Sequence, residues 1–184
     1  MQRKPGPTST GVDLEHPLVT FAADHTLFTG QLEALSWLPQ LARSAARARR
    51  VAEESLALFA TEVERHHREE EKQLFTAVLR SARPGAEMAQ MRAWVERLTA
   101  EHASIEAQWQ QLRPQLRKLA AGKDAELDAE ALEALIEAYF AHARWEEEVF
   151  LPRADEILRR DGNHMAALAL SLHMSRVPLP VPRI

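Results

Sequence analysis

Apolar residues recur along this chain in alternating steps of three and four over four long stretches, a rhythm that fits long amphipathic α-helices. The first stretch runs through Leu18, Phe21, Phe28, Leu32 and Leu35. The second runs through Leu56, Phe59 and Val63, with Leu74 just off the step. The third has Met91, Val95, Leu98, Ile105, Trp109 and Leu112, and the fourth Leu132, Leu135, Tyr139 and Val149. Every seam is interrupted at one place by a histidine: His25, His66, His102 and His142. Two seams add a glutamate four residues later, Glu70 and Glu146. The predicted fold class is all-α, an up-down-up-down four-helix bundle. Sparse glycine and abundant Ala, Leu, Glu and Arg agree with it.

The chain breakers divide the pattern. A helix is expected from Pro17, a good first-turn residue, with a disturbance near Pro39. The basic stretch 40–50 (Arg43, Arg47, Arg49, Arg50) reads as a helix end or connection facing solvent. A second helix is expected over 50–82, stopped by Pro84-Gly85. A third spans 86–120, with Pro114 as a candidate kink, and stops at Gly122. A fourth spans 126–160 and ends at Asp161-Gly162. Residues 1–16 read as disordered or draped, 17–162 as the bundle, and 163–184 as a short amphipathic helix with an extended Pro-rich tail. That last segment either covers the bundle end or mediates a homodimer.

In an up-down bundle, residues at one height on consecutive helices are mirrored about the turn. The midpoint of His66 and His102 is Pro84, and that of His102 and His142 is Gly122. Both are breakers. The midpoint of His25 and His66 falls between Ala45 and Ala46, where no breaker stands.

The residue types point to a metal. A lone histidine on an apolar face is usually a hydrogen-bonded core residue, but one per helix at a common height is a different pattern. A buried carboxylate costs several kcal/mol even after relaxation, so two inside a bundle call for a cation. Residues four apart lie one above the other on a helix. His66 with Glu70, and His142 with Glu146, can therefore offer nitrogen and oxygen to one centre. With no cysteine, thiolate sites, iron–sulfur ligation and disulfides are excluded. Mixed nitrogen and oxygen ligands suit iron, and also manganese or zinc. Among neighbours, His67, Glu71 and Glu147 read as solvated flanks, His67 keeping a secondary reading as an extra ligand. Glu106 reads as an outer partner or extra ligand, Tyr139 as core or a hydrogen-bond donor to the centre. The four tryptophans read as packing residues, and His16, His164 and His173 lie outside the seams.

A net charge of −4 argues against a nucleic-acid partner. No stretch of about 18 apolar residues is present, so no membrane span is expected. The N-terminus shows no signal-peptide pattern, and a cytoplasmic location is expected.

The motifs DHTLF around His25, HHREEEKQLF around His66 and Glu70, EHASIE around His102, and HARWEEEVFLP around His142 and Glu146 resemble the hemerythrin-like (HHE cation-binding) family over residues 14–160. The resemblance implies a four-helix bundle with two metal ions, iron foremost, bridged by carboxylates and an oxo or hydroxo species. It carries over His25, His66, His102 and His142 as terminal ligands and Glu70 and Glu146 as bridges. Glu106 stands where oxygen-carrying hemerythrins have a histidine, and Glu146 lies one residue short of their aspartate bridge. The pattern is nearer a His4Glu2 type. The expected function is binding, sensing or reacting with dioxygen, nitric oxide or peroxide. The alternatives are a di-metal enzyme (oxidase, hydrolase or iron–sulfur cluster repair) and a structural bundle with a vestigial site.

Overall fold

The computed structural model describes residues 17–176, with side chains described from 25 to 170. The expectations for 1–16 and for the Pro-rich tail from 177 lie outside the described residues, as do the side chains of Leu18, Phe21 and His173. All described elements are helical: α1 (Pro17–Ser36), α2 (Leu38–Leu58), α3 (Glu64–Glu69), α4 (Phe75–Ser81), α5 (Ala86–Ala120), α6 (Ala129–Trp145), α7 (Leu151–Leu158) and α8 (Gly162–Arg176). Three five-residue π-turns join some of them: π1 (Phe59–Val63), π2 (Glu70–Leu74) and π3 (Glu146–Phe150). The chain forms two compact units, Met1–Arg47 and Ala48–Ile184.

The first unit holds α1 and the start of α2. Its helix break falls at Trp37, beside Pro39 as expected. Its expected inward seam is not buried: Phe28, Leu32 and Leu35 are exposed, and so is Trp37, which was expected to pack. One helix and a fraction of another offer too little facing surface to enclose a seam. The basic stretch 40–50 is also not a connection. It is uninterrupted helix within α2, which starts twelve residues before the expected position, at Leu38 rather than near 50. Ala and Arg are among the best helix formers, and charge alone does not stop a helix.

The second unit is built from three long rods. The first runs from Ala48 through π1, α3 and π2 to Ser81 and is one continuous helical path. Each π-turn closes with a backbone N–H donated to the carbonyl five residues back: Glu64 to Phe59, Phe75 to Glu70, and Leu151 to Glu146. One threonine stands in π1 and another just after π2. The Thr61 hydroxyl donates to the Ala57 carbonyl (2.8 Å), and that of Thr76 to the Glu71 carbonyl (3.3 Å).

The breakers act where expected. Gly85 has φ +98°, a backbone state closed to most side chains, and the second rod starts after it. At the other end of α5, Gly122 sits at φ +68° and the Lys123 N–H reaches back to the Lys118 carbonyl (3.0 Å), a left-handed helix cap. Asp128 caps α6 by accepting from the Ala131 N–H at 2.9 Å. Pro114 stands inside α5.

Two apolar clusters fill the second unit. One collects Phe75, Val78, Met91, Leu98, Phe150 and Ile157. The other collects Ala52, Ile105, Trp109, Leu112, Leu116 and Leu135. On α5 the first cluster ends at Leu98 and the second begins at Ile105, with His102 between them. On α6 and π3, His142 and Glu146 likewise fall between Leu135 and Phe150.

Candidate metal centre

The polar layer between the two apolar clusters is made of His67, Glu70, His102, His142 and Glu146, all at most 7% exposed. The two π-turns that carry the glutamates explain their placement. A π-turn holds one residue more than an α-turn and shifts the helix phase by about 100°. From Val63 onward the first rod buries Val63, His67, Glu70, Phe75 and Val78, with steps of four, three, five and three, and Glu69 beside Glu70.

That phase shift corrects one expectation. His67, read as a solvated flank, is 2% exposed, while His66, read as the seam residue, has a half-exposed side chain. π1 lies between Phe59 and the histidine pair and turns the inward face by one residue. The step of five from Glu70 to Phe75 has the same origin in π2, and it accounts for Leu74 standing off the rhythm.

Two groups of ligand-type atoms result. His67, His102 and His142 form one, and His66, Glu70 and Glu146 the other, each with its atoms within 4.8 Å of one another. The groups adjoin. His102 Nε2 lies 3.3 Å from Glu70 Oε2, and His142 Nε2 lies 3.7 Å from Glu146 Oε2. His66 Nε2 lies 3.1 Å from Glu70 Oε1. The rings of His67 and His102 stack at 3.9 Å, and that of His142 stands edge-on to His102 at 4.8 Å. His25, on α1 in the first unit, is exposed and is in neither group.

All three buried histidines are oriented by a carboxylate on a neighbouring rod. His67 Nδ1 meets Glu106 at 3.0 Å, His102 Nδ1 meets Glu71 at 2.9 Å, and His142 Nδ1 meets Glu101 at 3.0 Å. With Nδ1 engaged outward, Nε2 points inward. Metal-bound histidines have this arrangement, in which an outer carboxylate fixes the ring and raises its basicity. Glu71, expected to be solvated, thus has a structural partner, and Glu106 stands behind a histidine. Glu101 was not foreseen at all. Its only sequence signal is its place beside His102, on a flank of α5. Arg97 in turn pairs with Glu101 at 2.7 Å and lies 3.9 Å over the Trp145 ring.

The inward atoms lack hydrogen bonds, although His102 Nε2 and Glu70 Oε2 face each other at 3.3 Å. His67 Nε2, His102 Nε2, Glu70 Oε2 and Glu146 Oε1 are buried without a hydrogen bond. Buried polar atoms are rarely left so, and four at one place need a common explanation. The electrostatics agree. Burial lowers the His67 and His142 pKa values against the pull of Glu106 and Glu101. Burial also acts on His102, but Glu70 and Glu71 outweigh it and raise its pKa. Burial and the adjacent Glu70 carboxylate push Glu146 up to about 8. Glu70 is held low against its own burial by His102, His66 and the shared contact with Glu146. Two carboxylates this close cannot both stay ionised without a cation.

Above the layer, Phe59 stacks on Trp109 at 4.1 Å and meets Tyr139 edge-on at 6.5 Å. Below it, Phe75 lies 5.9 Å from the His102 ring. Tyr139 is half-buried, 6.3 Å from the His142 ring, and burial together with Glu70 and Glu146 raises its phenol pKa.

The hemerythrin HHE cation-binding domain model matches residues 16–154. The chain therefore belongs to that family, and its fold class is all-α. Comparison with curated proteins and with solved structures returned no match. The donor set, four orphaned inward atoms and three ring-orienting carboxylates fit the cation binding that the family description names. No described helix is long and apolar enough to cross a membrane.

Proposed function

We propose that this chain is a dinuclear, di-iron hemerythrin-like protein that binds, senses or reacts with dioxygen, nitric oxide or peroxide. The carrying observation is the pair of adjoining ligand groups, four of whose inward atoms are buried without a hydrogen bond. In this reading His67, His102 and His142 hold one metal, and His66, Glu70 and Glu146 the other. Glu70 and Glu146 each lie within 3.7 Å of a nitrogen of the first group, the spacing a bridging carboxylate needs. The iron pair, when bound, supplies the redox chemistry and the open coordination positions for a small ligand.

The chain's own residues do the rest. Glu71, Glu101 and Glu106 hold three rings in place. Phe59, Phe75 and Tyr139 limit water from above and below. Glu146 gives up its proton as cations enter. In this reading the bundle spans 17–162, followed by 163–184.

Anaerobic loading with ferrous iron followed by metal analysis tests the reading. About two irons per chain are expected, falling below one in Glu70→Ala and His142→Ala. Wild-type protein that retains no iron would refute it. His25→Ala in the same assay reads directly whether α1 supplies a further ligand. Stoichiometric rather than catalytic consumption of oxygen or peroxide distinguishes a carrier or sensor from an oxidase.

A further inference from the structure

A cavity of about 350 Å³ lies where α8 packs against α4 and π2, on the turn that also carries Glu70, and none of the buried histidines lines it. It is lined by Lys72, Gln73, Arg80 and His164, and no carboxylate lines it. Five arginines of the second unit, Arg65, Arg97, Arg153, Arg159 and Arg160, are tied to acids, while others such as Arg92 are not. Among the described residues, Lys72 and Arg80 have no such partner. Two unneutralised cations facing one concave space create a strong local positive potential. His164 lies on the same wall, its Nδ1 2.8 Å from the Ser81 hydroxyl and its Nε2 3.8 Å from Asp161.

The remaining wall sets the ligand's other features. Gln73 and Thr76 add polar side chains to the lining, which suits a ligand that carries a hydroxyl. Ala167 and Leu168 of α8 give one apolar side, suited to a short carbon body. The family match ends at residue 154, before α8 begins at Gly162. The cavity therefore combines a floor inside the family domain with a wall outside it.

We infer that this cavity binds a small hydroxylated organic dianion, its charged head between Lys72 and Arg80 and its carbon body against Ala167 and Leu168. A phosphomonoester and a hydroxy-dicarboxylate share this chemistry. Calorimetric titration of the full chain with inorganic phosphate, glycerol phosphate and malate separates the sources. One of the two organic dianions is expected to bind once per chain, at least about tenfold tighter than inorganic phosphate, and more weakly as salt rises. Lys72→Gln and Arg80→Gln, singly and together, should each weaken it about tenfold or more. Arg92→Gln, an exposed arginine away from the cavity, should leave it unchanged. Glu70→Ala provides the control for an anion at the histidine layer. Affinity lost in Glu70→Ala but kept in Lys72→Gln and Arg80→Gln would overturn the inference, as would no saturable binding of either organic dianion.

Discussion

Glu146 carries the clearest consequence at the scale of single residues. Its pKa of about 8 means that the metal-free protein holds a proton there at pH 7. Its folded value stands above its ordinary 4.5, so the native state binds more protons than the unfolded chain between those limits. Metal-free stability should therefore fall as pH rises from about 4.5 through 8, and Glu146→Gln should flatten that slope in a series of thermal melts. Metal entry must expel the proton. Calorimetry of metal binding at pH 7 in buffers of different ionisation enthalpy should report release of about one proton per chain. Heats independent of the buffer would contradict the assignment. The outer carboxylates make a second case. Glu101→Ala removes the group that orients His142 and should weaken metal binding about 10- to 100-fold with little change in helix content.

At the scale of elements, the π-turns decide which residues face inward. Deleting Thr61 converts π1 to an ordinary turn and rotates the histidine segment by about 100° relative to Phe59. Helix content should survive while bound iron falls below one per chain, whereas Thr61→Ala should retain the metal. The helix limits at Pro84-Gly85, Gly122 and Asp161-Gly162 were legible because glycine and proline carry their conformational demands in the sequence itself. His102, His142, Glu70 and Glu146 were legible as polar breaks in apolar seams. The exchange of His66 and His67 was not, because a π-turn needs no Gly or Pro and leaves only a step of five. Leu74, standing off the rhythm, was its one visible trace. Glu101 was hidden for another reason: it acts from a flank, where charged residues are ordinary.

At the scale of the whole molecule, distant rods are held by few charged contacts and much apolar burial. Glu87, near the start of α5, accepts two bonds from Arg160 at 2.7 Å, one from Arg153 at 3.1 Å and the Arg83 N–H at 2.8 Å. The Arg160 contact and the Arg83 N–H hold its pKa at about 2, below its ordinary 4.5. Its contribution is complete above about 4.5 and is lost as pH falls toward 2. Glu87→Gln should lower the melting temperature at pH 6–7, with the gap from wild type closing over that acidic window. Phe150, fully buried in the first apolar cluster, gives the burial counterpart: Phe150→Ala should cost about 3–5 kcal/mol in denaturant unfolding. A cation that binds only the folded state should raise stability by about 2.7 kcal/mol at a hundredfold excess over its dissociation constant.

Glu70 and Glu146 are each the first residue of a wide turn, whose extra residue can be passed to the neighbouring turn by exchanging one backbone bond for another. Both acids thus sit on slack links in otherwise taut rods. Moving that extra residue by one turn would carry either carboxylate about 100° around the rod axis and leave the rest of the helix bonded as before.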